Sequence, residues 1–486
     1  MSESEFCLAA CQHCGQRIEF PREGLGIAVS CPQCNQETLL QEVSAAPVAA
    51  SEPEEITAAE LKEVLAGVLP KRKVSVLYQI GLLAVAVFMV LLPVVYLLFV
   101  AALGYATYWY GVHAKWILSG FIGGVHLYIL KLIAYVGPLI GGSLAVFFMF
   151  KPILARPARR AEPIELNPAQ HPRLYQFIAH LSDLLQMPVP QRIYLSGELN
   201  ASAGFRRGFL SFLGHDLVLT LGLPLVGGLD TRQLAAVVCH ELGHCTQGFA
   251  MRLQYVIFKV ERWFARVVYE RDSWDQAVQE WADDTHDWRM SIVVACVGLA
   301  IWISRTILAC LLHIGHASSC FLSRQMEYHA DSCALSVAGS VGLESLLLRL
   351  REQTVLNSMA FGSLQQIWKK QHKLPDNLPG YLAELEARLP SSFHEEARLT
   401  LLNEKVGLFA THPTPVQRIQ KARQQAVEGV FSLAKPARLL FRDFTRTARE
   451  VTCQYYRQDL QLAVTDPMLK PVDSFFPASE NITRGH

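Results

Sequence analysis

Hydrophobic positions follow different rules in different parts of the chain. From Val74 to Ala114 no Lys, Arg, Asp or Glu interrupts an apolar run, and a second uncharged run covers Leu132 to Phe150. About 20 apolar residues cross a bilayer as a helix. The first run therefore predicts a span over about Val76 to Val100, and the second predicts another that starts as early as Leu127. Pro93 inside the first span is tolerable in a membrane helix. Beyond Arg160 the pattern becomes that of a folded domain. Leu174, Phe177, Ile178, Leu181 and Leu185 recur at helical spacing and predict an amphipathic helix over Pro172 to Leu185. Strand-like runs follow at Arg192 to Leu195 and Asp216 to Leu221. Most of the remainder reads as helix. Between the N-terminal region and the spans, residues 41–60 are rich in Ala, Pro, Ser and Glu and read as a linker. Thr57 followed by Glu60 predicts the cap of a short helix toward Leu69.

Composition sharpens this layout. Of 486 residues, 51% are hydrophobic and 18% charged, below the roughly one quarter charged that is usual in soluble domains. Part of the chain therefore belongs in lipid, with the bilayer as one partner. The formal net charge is +1, which excludes the basic footprint of a nucleic-acid binder and the charge excess of a disordered polyelectrolyte. Lys71, Arg72 and Lys73 precede the first span, and Lys151, Arg156, Arg159 and Arg160 follow the second, whereas the connecting loop offers only Lys115 and Lys131. Positive flanks stay inside, so both ends of the hairpin are expected in the cytoplasm.

Four of the twelve cysteines form two knuckles, Cys11-x-x-Cys14 and Cys31-x-x-Cys34. Two CxxC pairs at this spacing suit a zinc ribbon, in which four thiolates hold one tetrahedral ion. Two disulfides, or iron held in the manner of rubredoxin, would use the same spacing. The opening MSESEFCLAA has no basic or apolar signal region, so a reducing compartment and zinc are favoured. The expected order is a ribbon over 1–40, a linker and short helix over 41–73, and two transmembrane helices over 74–150. A mostly helical domain over 160–430 and an amphipathic C-terminal appendage over 431–486 follow. The fold class is mainly α (α+β), with a small sheet.

The chemistry lies in His240-Glu241-Leu242-Gly243-His244, an HExxH. Asp230-Thr231-Arg232-Gln233 predicts a capped helix start, and Leu234, Val237 and Val238 supply its apolar stripe. Positions i and i+4 share a face, so both imidazoles can meet one ion while Glu241, about 100° around, reaches a water on it. A catalytic zinc takes three protein ligands. Glu327 in Ser323-Arg324-Gln325-Met326-Glu327-Tyr328-His329-Ala330-Asp331 could be the third, and Asp331, one turn on, could hold the far nitrogen of a ligating histidine. An ordinary surface acid and a local salt bridge are the plainer readings of these two residues.

HELGH followed by SRQMEYHAD resembles the family of membrane gluzincins that includes HtpX, the CAAX prenyl proteases and the mitochondrial Oma-type proteases. The resemblance runs from about Pro168 to Ile419. Leu199-Asn200-Ala201-Ser202-Ala203-Gly204 is similar to the family's NAxA strand, and Thr411-His412-Pro413-Thr414-Pro415-Val416-Gln417-Arg418-Ile419 to its H-P-x-x-x-R-I segment. The resemblance implies a zincin-type metalloprotease domain behind two spans in a bacterial inner membrane. It implies His240, His244 and Glu327 as zinc ligands and Glu241 as general base. It places Asn200 and Ala201 on an edge strand that pairs with protein or peptide substrates, and it lets His412 steady the oxyanion. The ribbon, whose partner the sequence does not name, is an addition to the family pattern. Three functions follow as candidates: an endopeptidase for membrane or misfolded proteins, a processor of prenylated C-termini, or an inactive zinc-ribbon adaptor.

If His240 and Glu327 meet at one ion, the chain between them crosses the bilayer zero times or twice. Residues 290–314 are apolar, but their only partner, 251–270, carries Arg252, Lys259, Glu261, Arg262 and Arg266. Each charge at the midplane costs about 2.5–3.5 kcal/mol on insertion scales. The expectation is therefore zero crossings, with 290–314 buried or dipping into the membrane face. The Trp263, Phe264, Val267 and Val268 stripe is expected to make core or membrane contacts, and Cys239 and Cys245 to be buried small hydrophobes.

Overall fold

The computed structural model describes residues 6–10, 17–21, 27–30, 36–39, 75–119, 125–154, 163–205, 216–246, 249–270, 288–390, 392–402 and 412–476, together with Ile56, Thr57, Glu60, Leu61 and Leu69. The chain divides into two units, Met1–Glu55 and Ile56–His486. In the first, β1 (Phe6–Ala10) pairs antiparallel with β2 (Arg17–Pro21), and β3 (Ala28–Ser30) pairs antiparallel with β4 (Glu37–Leu39). Each CxxC falls in the connection of one of these pairs. Cys11, Cys14, Cys31 and Cys34 themselves lie outside the described residues.

The second unit opens at Thr57, where the expected cap is present: Thr57 N–H donates to Glu60 (3.4 Å) and Glu60 N–H to Thr57 Oγ1 (3.2 Å). The two apolar runs form α1 (Val76–His113) and α2 (Val125–Leu154). Both exceed the predicted spans: α1 continues through charge-free sequence to His113, and α2 extends past Lys131 at its start and Lys151 at its end. The domain that follows contains β5 (Ile164–Glu165), α3 (Pro172–Leu184), β6 (Arg192–Ser196), β7 (Ala201–Phe205), β8 (Leu217–Gly222), α4 (Thr231–Cys245), α5 (Phe249–Tyr269) and α6 (Trp288–Gln371). Farther on come α7 (Pro415–Gln425) and α8 (Phe444–Gln454). The fold is mainly helical, and one four-stranded sheet runs β5-β6-β8-β7. β6 and β8 are parallel, while β7 runs antiparallel to β8 and, among the described residues, has no strand on its other side. Phe177 and Leu181 of α3, Leu219 and Leu221 of β8, and Leu234 and Val238 of α4 share one core.

Residues 290–314 form the first part of α6, which runs antiparallel to α1. Tyr78 Oη donates to Leu322 C=O (3.4 Å), and Tyr96 Oη shares a 2.8 Å hydrogen bond with Ser304. Between those two tyrosines α1 rises about 27 Å, so the pairing follows most of the first span. Leu308 is fully buried there, whereas Leu299, Trp302 and Ile303 stay exposed. α1, α2 and α6 are each long and apolar enough to cross a membrane by length and composition. α5 joins this layer by turning Ile257, Phe264 and Val267 toward α1 and α6. The charges that argued against α5 are placed around this contact: Glu261 accepts from Ser319 of α6 (2.5 Å), and Lys259 and Arg262 are exposed.

The segment after residue 430 is not an appendage. α6 breaks at Gly339, whose φ of 75° is a left-handed conformation. The break frees backbone groups that the later chain satisfies: Ser340 N–H donates to Val427 C=O (2.7 Å), and Val430 and Phe431 N–H both donate to Val337 C=O (2.9 and 2.8 Å). Phe431, Leu440, Phe441 and Val451 are then buried in the main core. A Cβ at Gly339 would lie 2.1 Å from Glu428 C=O. Gly339→Ala is expected to destabilise the protein by more than about 1 kcal/mol, since both the φ and the space forbid it. A lowered midpoint of thermal unfolding in detergent checks this, and an unchanged midpoint would contradict the kink.

Candidate metal centre

The capping box at the start of α4 is complete, with Gln233 N–H donating to Asp230 Oδ1 (2.7 Å) and Asp230 N–H to Gln233 Oε1 (3.1 Å). Buried Leu234, Val238 and Leu242 fix the helix against the sheet. Gly243 lets α4 approach α6 closely, because a Cβ there would meet Ala330 Cα and Cys333 Cβ, each at 3.1 Å. That approach brings His240 and His244 to Glu327 and Asp331. His240 Nε2 lies 3.4 Å from one Glu327 oxygen, and His244 Nε2 lies 3.7 Å from the other. His240 Nδ1 is 3.1 Å from Asp331 Oδ1. Asp331 also receives two hydrogen bonds from Arg418 of α7, at 2.8 and 2.5 Å. His412 completes the group, with Nδ1 3.1 Å from Glu327 and its side chain 70% exposed.

Glu241 takes a separate position, where its Oε2 accepts from Ala203 N–H (3.3 Å). Gly222 N–H donates to Asn200 C=O (2.8 Å), so Asn200 turns its carbonyl toward β8. By alternation Ala201 and Ala203 present their backbone groups to the open edge, and Asn200 Oδ1 accepts from Ala201 N–H at 2.8 Å. The edge strand and the helix thus border one open cleft of about 1410 Å³. Lys259 and Arg262 of α5 also line it.

Electrostatics separate the two histidines. Burial disfavours a charged His240, but Asp331 and Glu327 outweigh burial and raise its pKa to about 9. Burial and the adjacent His240 lower His244 to about 4. Burial pushes the Glu241 carboxyl upward, and Glu327 holds His412 above the ordinary imidazole value. The carboxylates of Glu327 and Asp331 call for positive charge at the imidazoles, which a divalent cation would supply. The donors fit zinc: two imidazoles and a carboxylate converge on one point. Ligand atoms of His240, Glu241 and His244 lie within 4.8 Å of one another, which also makes Glu241 a candidate ligand. Glu327 is the better third ligand, because it offers one oxygen to each imidazole while Glu241 engages the strand. A second group, Glu352, Glu386 and His394, also clusters, but Arg349 donates to Glu352 (3.1 Å) and Glu386 (2.9 Å) and supplies the cation there. Cys239 and Cys245 are buried, and burial raises Cys245 to about 12, so both are inert.

Ala203 and the partnership of Arg418 with Asp331 are additions to the sequence reading. The arginine is visible in the H-P-x-x-x-R-I string, but nothing local names its partner. The alternation that exposes Ala203 depends on strand register.

An HExxH helix beside an open-edged sheet, with a carboxylate joining from a second helix, defines a zincin-type metalloprotease. The model of peptidase family M48 matches residues 168–426, more than half of the chain, and the chain belongs to that family. It is 27% identical over 311 residues to Protease HtpX of Acinetobacter baumannii (strain AYE), covering 62% of this chain and 88% of that protein. It is 26% identical over 311 residues to Protease HtpX of Acinetobacter baylyi, with the same coverage. Protease HtpX of Stutzerimonas stutzeri is 24% identical over 290 residues, or 58% of this chain and 83% of that protein. No solved structure matches.

Arg418→Ala would leave the buried Asp331 carboxylate without its two guanidinium hydrogen bonds and with His240 as its remaining partner, at an expected cost of about 3–5 kcal/mol in unfolding free energy. Adding Asp331→Asn should recover part of that loss. If the two losses simply add, the pair is not coupled.

Proposed function

We propose that this protein is a membrane-anchored zinc endopeptidase that hydrolyses membrane or misfolded proteins. Its N-terminus and catalytic domain face the cytoplasm of a bacterial inner membrane. The observation that carries the reading is Glu327, set between His240 Nε2 and His244 Nε2 at 3.4 and 3.7 Å while Glu241 stands beside the edge strand. The basic flanks of α1 and α2 support the orientation. A second zinc, held by Cys11, Cys14, Cys31 and Cys34, completes the metal complement.

Zinc held by His240, His244 and Glu327 would supply a Lewis acid and an acidified water. Asp331, braced by Arg418, fixes the ring of His240 and keeps Nε2 free to coordinate. Glu241, its pKa raised by burial, takes the proton of the attacking water and delivers it to the leaving amine. The outward carbonyls of Ala201 and Ala203, and their N–H groups once released from Asn200 and Glu241, pair with an extended substrate backbone by strand addition, which is indifferent to side chains. His412 stands at the exposed side of Glu327, where a cationic imidazole can face the developing oxyanion.

Glu241→Gln should retain about two zinc ions per chain while peptide cleavage falls by about 10²–10⁴-fold. Metal analysis beside a cleavage assay measures both, and a variant that still cuts would refute the role. Removing zinc with a chelator should stop cleavage, and added zinc should restore it. Cleavage of a farnesylated peptide but not of an unfolded protein would select the prenyl-processing reading. An inactive adaptor would hold only about one zinc per chain.

A further inference from the structure

The last part of the chain lies outside the residues that match the family, yet it borders the cleft. Gln454, Tyr455, Gln458 and Asp459 line the same cavity as His240 and Glu241. The contact that puts them there is tight. A Cβ at Gly197, in the turn between β6 and β7, would lie 2.4 Å from Tyr455 Cγ. Tyr456, the next residue, is buried with Leu378 and Tyr381, which anchors the segment from behind. Tyr455–Asp459 winds as a π-helix, a form frequent at functional sites. Gln461 follows with φ 51°, a left-handed conformation uncommon for residues other than glycine. Gln458 and Asp459 are exposed, and Asp459 has no ion pair or hydrogen bond among the described residues. Partial burial raises its carboxyl above the ordinary value. Glu198, on the facing turn, lines the same end of the cleft.

We propose that this C-terminal segment is a wall of the substrate cleft, and that Asp459, with Gln458 beside it, selects a basic side chain after the scissile bond. The proposal rests on the peptidase reading above. A peptide added antiparallel to β7, as β8 is, runs from the Phe205 end toward the Ala201 end. The chemistry sits where Glu241 meets Ala203, so the chain after the cut passes Asn200 and reaches the Gly197–Glu198 turn. At about 3.3 Å per residue, that places Asp459 near the second to fourth residue after the cut. A carboxylate left without a cation at that point is complementary to Lys or Arg.

A peptide library cut by the full-length protein in detergent, and read by mass spectrometry, tests this. The wild-type protein should favour Lys or Arg over neutral residues at those positions by about 2- to 5-fold in kcat/KM. Asp459→Asn should erase the preference, and Asp459→Lys should turn it toward Asp and Glu. The preference is read within each protein as a ratio to peptides neutral at those positions, and an unchanged midpoint of thermal unfolding shows that the exposed substitution leaves the fold intact. An identical preference in all three would overturn the proposal. No cleavage of any peptide by the wild-type protein would instead overturn the peptidase reading, and the proposal with it.

Discussion

The structure depends on how a group of buried charges is neutralised. Glu327 and Asp331 are 5% and 4% exposed, one turn apart on α6. Carboxylates taken from water without partners would cost several kcal/mol each. Among the described residues, their ion-pair partners come from other elements: His240 and His244 from α4, His412 from the segment that leads into α7, and Arg418 from α7 itself. None of these contacts is local in sequence. The charges therefore specify the register of α4 on α6 and the docking of α7, since a shift of one turn would leave a carboxylate bare. Apolar packing makes the three helices stick, and the polar set decides where they stop.

Legibility in the sequence follows the range of the interactions. The HExxH, the Glu327/Asp331 pair and the capping box at Asp230 obey helical periodicity and can be read in place. The first two apolar helices declare themselves by the absence of charge. α5 is legible in part: its five charges read against a membrane span and its stripe from Trp263 to Val268 reads as a packing face, but which way the helix is turned cannot be read locally. Ile257 and Phe264 pack with α1 while Lys259 and Arg262 line the open cleft, an arrangement that only the packed fold displays. The C-terminal segment misleads. Its alternation of basic and apolar residues reads as a detached amphipathic helix, yet Phe431, Phe441 and Val451 complete a core whose other members lie some 200 residues earlier.

Two left-handed glycines make that completion possible. Gly339 breaks α6 at the point where Gly429 crosses it, with φ values of 75° and 80°. The crossing brings backbone against backbone, closer than any side chain allows. Without the break, α6 would continue past the core and Val337 C=O would stay within its own helix. With it, the polypeptide returns and supplies the floor under β6 and the α4 cap, where Thr231 N–H donates to Lys435 C=O (2.8 Å).

α6 itself has a mechanical consequence. Ser304, which touches Tyr96 on α1, and Glu327, which touches both imidazoles, lie on one unbroken stretch of helix about 34 Å apart. A helix of that length behaves as a lever and transmits displacement along its axis. A tilt of the arm that packs on α1 is therefore carried to the end that holds the carboxylate, so the seating of α6 against the first apolar helix and the alignment of the site's side chains are in that sense a single coordinate.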